Sequence, residues 1–234
     1  PLSRKFGCQP DLAIDLILMA RELGLNASGF SFHVGSQQRD IGAWDAAIAK
    51  TKYITDRLAE HGVSISLLNL GGGFPATYNQ KMHPFERYAK SINRFLREDF
   101  GKKHPRLILE PGRFLVGDAG VLVSEVVLVS RKSRDDVNRW VYTDVGVFGG
   151  LIETLGESIK YRVVCDRNGA EEEEVVLAGP TCDSMDIMYQ FNKYPLPLSL
   201  EVGDKIYWLS TGAYPYTYSS VEFNGFPPLK SFYV

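Results

Sequence analysis

The chain has 234 residues, is 44% hydrophobic and 23% charged, and carries a net charge of −2. That length and balance suit one large or two modest folded domains, and nothing in the charge suggests nucleic acid or a membrane surface as a partner. No run reaches the ~18 apolar residues of a membrane span, and the three widely spaced cysteines, Cys8, Cys165 and Cys182, suit neither a disulfide framework nor a zinc site, so a reducing cytoplasm is the expected setting.

The first residues, Pro-Leu-Ser-Arg-Lys-Phe-Gly, lack the pattern of a signal peptide. They open on a proline with a helix close behind, which reads as a chain cut from something longer. Asp11 to Leu23 places Leu12, Leu16, Met19, Ala20 and Leu23 on one stripe at helical spacing, and Gly24 ends it. Ala27 to Val34 reads as a buried strand closed by Gly35. Trp44 to Glu60 is a second amphipathic helix, ended by Gly62. Ile65 to Leu70 is an apolar strand that runs into Gly71-Gly72-Gly73. Pro84 to Phe100 is a third helix with proline at its start, and Leu107 to Leu109 is a short strand leading into Glu110-Pro111-Gly112-Arg113. This alternation of helix and strand predicts a parallel α/β sheet or a (β/α)8 barrel, with too few units to close a barrel.

Beyond about residue 119 the pattern turns to strands. Val121 to Val129, Trp140 to Asp144, Glu174 to Leu177, Lys205 to Leu209 and Ser219 to Phe223 are expected strands between Gly, Pro and Asn turns, and together they predict a mostly antiparallel β domain. The acidic run Glu171 to Glu174 reads as a solvated loop before a strand. The expected division is 1–118 and 119–234.

In parallel α/β folds, ligand groups gather at the carboxyl ends of the strands. Here those ends carry His33-Val34-Gly35-Ser36, the triple glycine with Phe74, and Glu110-Pro111-Gly112-Arg113. Each has two readings. The glycines are either a turn or a cradle whose N–H groups converge on a phosphate. Glu110 is either structural or the partner of a ring nitrogen that must stay protonated, and Arg113 with Gly112 can add donors to an oxyanion. His33 is either a satisfied core histidine or a site residue. Cys182, in the turn Gly179-Pro180-Thr181-Cys182-Asp183, is either an inert small hydrophobe or a proton donor beside carboxylates.

Taken together, Phe32-His33-Val34-Gly35-Ser36, Leu70-Gly71-Gly72-Gly73-Phe74-Pro75, Glu110-Pro111-Gly112-Arg113, Gly179-Pro180-Thr181-Cys182-Asp183, Gly212-Ala213-Tyr214 and Phe223-Asn224-Gly225-Phe226 stand in the order found in ornithine decarboxylases. The chain resembles that family over essentially its whole length, and its ending looks like the bacterial ornithine and lysine/ornithine enzymes. The resemblance implies an alanine-racemase-like fold: part of a (β/α)8 barrel that binds pyridoxal 5'-phosphate, followed by the β domain. It implies that His33 stacks on the pyridine ring, that Ser36, Gly72, Gly73, Gly112, Arg113 and Tyr214 surround the phosphate, and that Glu110 faces the pyridine nitrogen. Cys182 matches the residue that returns a proton to the substrate, and Asp183 a carboxylate that reaches the substrate's distal amine across the interface of a homodimer with shared sites. Glu157, in Leu155-Gly156-Glu157, matches a second acid for that amine. The implied substrate is a small basic amino acid, L-ornithine or L-lysine, decarboxylated to putrescine or cadaverine.

Three departures qualify the match. Gly156 removes a side chain near the substrate tail, and Pro215-Tyr216 follows Tyr214 where small hydroxyl residues are usual. No Tyr-Ala-Val-Lys-like segment supplies the Schiff-base lysine; Arg4-Lys5-Phe6-Gly7 matches a different stretch. The expectation is therefore a fragment lacking the early barrel and inactive alone. Diaminopimelate decarboxylase, which tends to have Cys-Glu-Ser where this chain has Cys182-Asp183-Ser184, and a non-catalytic regulatory homologue are the competing readings.

Overall fold

The computed structural model describes residues 5–167 and 171–234; residues 1–4, with the Arg4 that was read alongside Lys5, lie outside them. The chain divides into two compact units. One holds the residues up to Ala76 together with Met82–Leu115, and the other holds Thr77–Lys81 and Val116–Val234.

The first unit alternates helix and strand: α1 (Pro10–Glu22), β1 (Gly29–Ser31), α2 (Gly42–Glu60), β2 (Leu67–Asn69), α3 (Phe85–Phe100), β3 (Arg106–Ile108) and a short α4 (Gly112–Val116). The strands form a parallel sheet in the order β1-β2-β3, with Phe30 opposite Leu68 and Leu68 opposite Leu107. Each strand is three residues long, shorter than the apolar runs suggested for β1 and β2, and single backbone bonds, from Phe32 N–H to Asn69 O, Leu70 N–H to Ile108 O and Glu110 N–H to Gly71 O, carry the neighbouring chains on into the loops described below.

The helices carry the packing. On α2 the buried residues Trp44, Ile48, Thr51, Ile54 and Leu58 recur at helical spacing. Trp44 and Ile48 enter a core with Val34, Leu68, Leu70, Phe74 and Tyr88, while Ile54 and Leu58 meet Ile17 of α1 and Val63. The Trp44 ring lies 5.0 Å from Phe74 and meets Tyr88 edge-on at 5.8 Å. Helix α1 corrects the sequence reading. It has two apolar faces, and the one that packs is Ile17 with Ala13, Ile14 and Leu18. The stripe Leu12, Leu16, Met19 and Leu23 is exposed, since no described residue covers it.

The second unit is a six-stranded sheet in the order β6-β9-β4-β5-β7-β8, built from β4 (Val121–Ser130), β5 (Arg139–Thr143), β6 (Arg162–Cys165), β7 (Glu172–Ala178), β8 (Ile187–Pro197) and β9 (Lys205–Leu209). All pairs are antiparallel except β5 with β7. Strand β4 pairs with β9 through Val121–Glu125 and with β5 from Val126 to Ser130, with an irregularity between Val126 and Leu128. That break lets one long strand turn the corner of a barrel-like sheet.

The two ends of the sheet are tied by tyrosines. Tyr189 Oη on β8 donates to Ile159 O at 2.8 Å and accepts the N–H of Tyr161, next to β6, at 2.9 Å. Tyr194 Oη donates to Tyr161 O at 2.6 Å. Burial of their rings pushes both phenols up, Tyr194 to about 12 and Tyr189 well above its usual value, so both stay neutral donors. The Tyr189 ring also stacks on Trp208 of β9 at 6.2 Å. Buried Arg139 donates to the carbonyls of Pro197, Leu198 and Leu200 and so holds the exit of β8.

Three expectations in this unit are corrected. Ser219 to Phe223 is not a strand; Glu222 and Asn224 have positive φ, at 54° and 53°, and the chain coils into a 3-10 turn at Phe223–Gly225. The run Glu171 to Glu174 lies mostly inside β7, where Glu173 pairs with Arg131 at 2.5 Å. Strands β6 and β8 were not anticipated. Strand β8 contains Pro195 and Pro197, and as the last in the order it tolerates them, since a missing N–H costs no ladder bond on its open side.

Candidate functional site

In the first unit the ends of β1, β2 and β3 converge. Gly71 and Gly73 have φ of 65° and 92°. A Cβ on Gly71 would lie 2.2 Å from Phe32 O, one on Gly73 2.4 Å from Gly35 O, and one on Gly72 2.6 Å from Glu110 O. The glycine run is thus required by backbone packing against the two neighbouring strand ends, and that packing brings His33 and Glu110 beside Gly72. The same Gly72 Cβ would sit 3.6 Å from His33 Nε2.

Glu110 and His33 are both exposed, and both are oriented. Asn69, the last residue of β2, donates from Nδ2 to Glu110 Oε1 at 2.8 Å while its Oδ1 accepts the Gly71 N–H at 2.9 Å. One amide therefore fixes both the carboxylate and the first glycine. His33 Nδ1 accepts the Gly35 N–H at 2.8 Å, which puts the ring proton on Nε2 and sets the plane of the imidazole. Arg113, in α4, is buried and donates from Nη2 to Ser36 Oγ at 3.1 Å. Gly112 opens that helix, with nothing near the position of a Cβ.

This donor set fits pyridoxal phosphate. A guanidinium, a hydroxyl and glycine backbone suit an anion. A fixed exposed imidazole suits an aromatic face, and an oriented carboxylate suits a ring N–H.

In the second unit the turn bearing Cys182 and Asp183 is built around Asp186. The Asp186 side chain is buried, with Oδ1 accepting the Val147 N–H at 2.7 Å and Oδ2 accepting Thr181 N–H at 3.0 Å and Thr181 Oγ1 at 2.7 Å. Gly146 and Gly179 line its slot: a Cβ on either would fall 2.1 or 2.2 Å from Asp186 Oδ1. The turn leaves Cys182 exposed and Asp183 half-buried. The Cys182 thiol and N–H both donate to Asn224 Oδ1 at 3.3 Å, and Asp183 Oδ1 accepts the Met185 N–H at 2.8 Å. Tyr214 sits at φ 76° with its ring partly exposed, and its carbonyl accepts the Tyr218 N–H at 2.9 Å.

Glu157 differs from expectation. Its carboxylate accepts the N–H groups of Gln190 at 2.9 Å, Phe191 at 2.7 Å and Asn192 at 3.0 Å, and also the Asn192 side chain. Burial alone would raise its carboxyl; the Asn192 amide and these N–H groups outweigh that and hold it below the usual range. Those lone pairs are taken by β8 and are not held open for a substrate ammonium.

Sequence reasoning missed Asn69, Asp186 and Asn224. Asn69 had a signal, a polar amide ending an apolar strand just before three glycines. Asn224 and, in its bond to Val147, Asp186 act on groups too distant in sequence to leave one.

Residues 2–117 match the pyridoxal binding domain of pyridoxal-dependent decarboxylases. The lysine/ornithine decarboxylase of Selenomonas ruminantium is 31% identical over 96% of this chain and 55% of its own length. The ornithine decarboxylase of Schizosaccharomyces pombe is 34% identical over 100% of this chain and 54% of its own length. Among solved structures, the lysine/ornithine decarboxylase of Vibrio vulnificus complexed with cadaverine matches with a TM-score of 0.85 and 32% identity, over 97% of this chain and 60% of that one. The chain thus spans about half the length of the curated relatives it matches. Among the described residues, no helix is long and apolar enough to cross a membrane.

Proposed function

The chain belongs to the pyridoxal-dependent decarboxylase family, and from that premise we propose that the protein carrying it decarboxylates a small basic amino acid, L-ornithine or L-lysine, to putrescine or cadaverine. The observation that carries the reading is Glu110, held by Asn69 at a strand end beside an oriented His33.

Pyridoxal phosphate, when bound, supplies an electron sink for the pair of electrons left as CO2 departs. Glu110 keeps a proton on the pyridine nitrogen, which deepens that sink. Asn69 keeps Glu110 aimed, His33 covers the ring face, and Ser36, Gly72, Gly73, Gly112 and Arg113 hold the phosphate. On the resemblance, Tyr214 adds a phosphate contact, Cys182 returns a proton to the carbon that has lost CO2, and Asp183 reaches the distal ammonium in a homodimer. With Glu157 engaged by β8, the reading leaves the choice between ornithine and lysine to Asp183 and to the space beside Gly156.

The test is CO2 release from L-ornithine and L-lysine by the full-length polypeptide that contains this chain, supplied with pyridoxal phosphate. Activity with one or both is expected, and Glu110→Gln should lower kcat by about a hundredfold or more while weakening cofactor binding far less. Absence of CO2 from both substrates in cofactor-loaded protein would end the proposal.

A further inference from the structure

We propose that Asn224 is a positioning residue for the Cys182 thiol: its amide oxygen takes the S–H and the Cys182 N–H together and fixes where the proton starts its transfer. The proposal rests on the reading of Cys182 as the proton donor. Both Cys182 groups are donors, so the amide must present Oδ1 to them and not its NH2, at 3.3 Å in each case.

Three features show that this contact is built. Asn224 has φ 53° and follows Glu222 at φ 54°. Left-handed backbone at residues other than glycine is uncommon and is held in place only by its surroundings. Those surroundings are on hand. The Phe223 ring packs on Phe148 at 4.5 Å, and the Ser220 N–H donates to Phe148 O at 2.9 Å. Asp186 braces both halves, since one carboxylate holds Val147, next to Phe148, and Thr181, next to Cys182. The coil at Phe223–Gly225 and the turn at Cys182 are therefore referenced to one buried anion.

In the reaction the S–H bond breaks as a C–H bond forms at the carbon that has lost CO2. The electron pair left there makes the new bond, and the thiolate takes a proton from water. Asn224 releases the S–H but keeps the Cys182 N–H, so the sulfur stays in place throughout.

Two variants separate the side chain from the backbone. Asn224→Gly keeps the left-handed conformation and removes the acceptor, whereas Asn224→Asp keeps both. Alkylation of Cys182 by iodoacetamide, read by peptide mass spectrometry so that Cys8 and Cys165 do not interfere, should run about threefold faster or more in N224G and no faster than wild type in N224D. In the cofactor-loaded full-length enzyme, N224G should lower kcat about tenfold with KM within about twofold, and N224D should recover most of the loss.

Unchanged alkylation and kcat in N224G would overturn the proposal, as would N224D behaving like N224G. Cys182→Ala runs in parallel. If it lowers kcat and N224G does not, Asn224 alone is misassigned. If Cys182→Ala leaves kcat unchanged, the proton-donor reading falls and the proposal with it.

Discussion

The two units hold their loops by opposite means. In the first, the loops after β1, β2 and β3 lie against one another as bare backbone at Gly71, Gly72 and Gly73, where there is no room for a side chain, and the Asn69 amide ties the first glycine to Glu110. In the second, the loops around Cys182 and β8 are fixed by polar side chains, buried at Asp186, Arg139 and Tyr189 and half-buried at Glu157, each of which satisfies backbone groups from a different part of the chain. The lesson concerns vulnerability. The first unit should fail when an atom is added, and the second when a polar atom is taken away.

The largest effect is expected at Asp186. Asp186→Ala strands the buried Val147 N–H and the half-buried Thr181 N–H and empties the slot between Gly146 and Gly179. A loss of about 4 kcal/mol follows from unmade bonds to a buried charge. Urea unfolding should show it, and hydrogen exchange should rise first at Val147 and Thr181. A loss below about 1 kcal/mol would mean the side chain is not the brace described.

The mirror test is Gly71→Ala. It puts a Cβ 2.2 Å from a backbone oxygen at φ 65°, and about 3 kcal/mol of destabilisation is expected from overpacking and left-handed strain together. Gly62 is the control: its φ is 70° but no atom lies within 4 Å of the added Cβ. Gly62→Ala should cost only the conformational part, about 1 kcal/mol. Equal losses at the two positions, measured by urea unfolding, would remove backbone approach as the reason for the glycine run.

The same contrast explains what could be read in advance. Helices α2 and α3 were legible because packing repeats at helical spacing, as in Ile48, Ile54 and Leu58. The strand-end clusters were legible because glycine and charge sit directly after apolar runs. The polar braces were not legible, since each acts across a long stretch of chain. Asp186 reaches Val147 across 39 residues, and Asn224 reaches Cys182 across 42. Glu157 was recognised as an acid worth naming, but its donors lie 33 to 35 residues further on, and only the fold shows that they are N–H groups of β8. Strand β8 was hidden by its own prolines, which an edge position tolerates.

Glu157 gives the smallest and most pH-sensitive break in the comparison. Burial opposes its charge, but the Asn192 side chain and the N–H groups of Phe191, Gln190 and Asn192 favour it more, so its carboxyl in the folded protein lies below the usual value. A group whose folded pKa is lowered contributes stability in full above its ordinary pKa and loses it as the pH falls through the folded one. Glu157→Gln removes the charge and turns an NH2 toward groups that are themselves donors. At neutral pH it should cost about 1.5 kcal/mol. In acid the gap between wild type and variant should close, because the wild-type carboxylate is itself protonated there. Urea midpoints taken from neutral pH down into the carboxylate range test this directly. A gap that stays constant with pH would show that the loss comes from shape and not from the charge, and that the strand is held at Gln190–Asn192 by something other than a carboxylate.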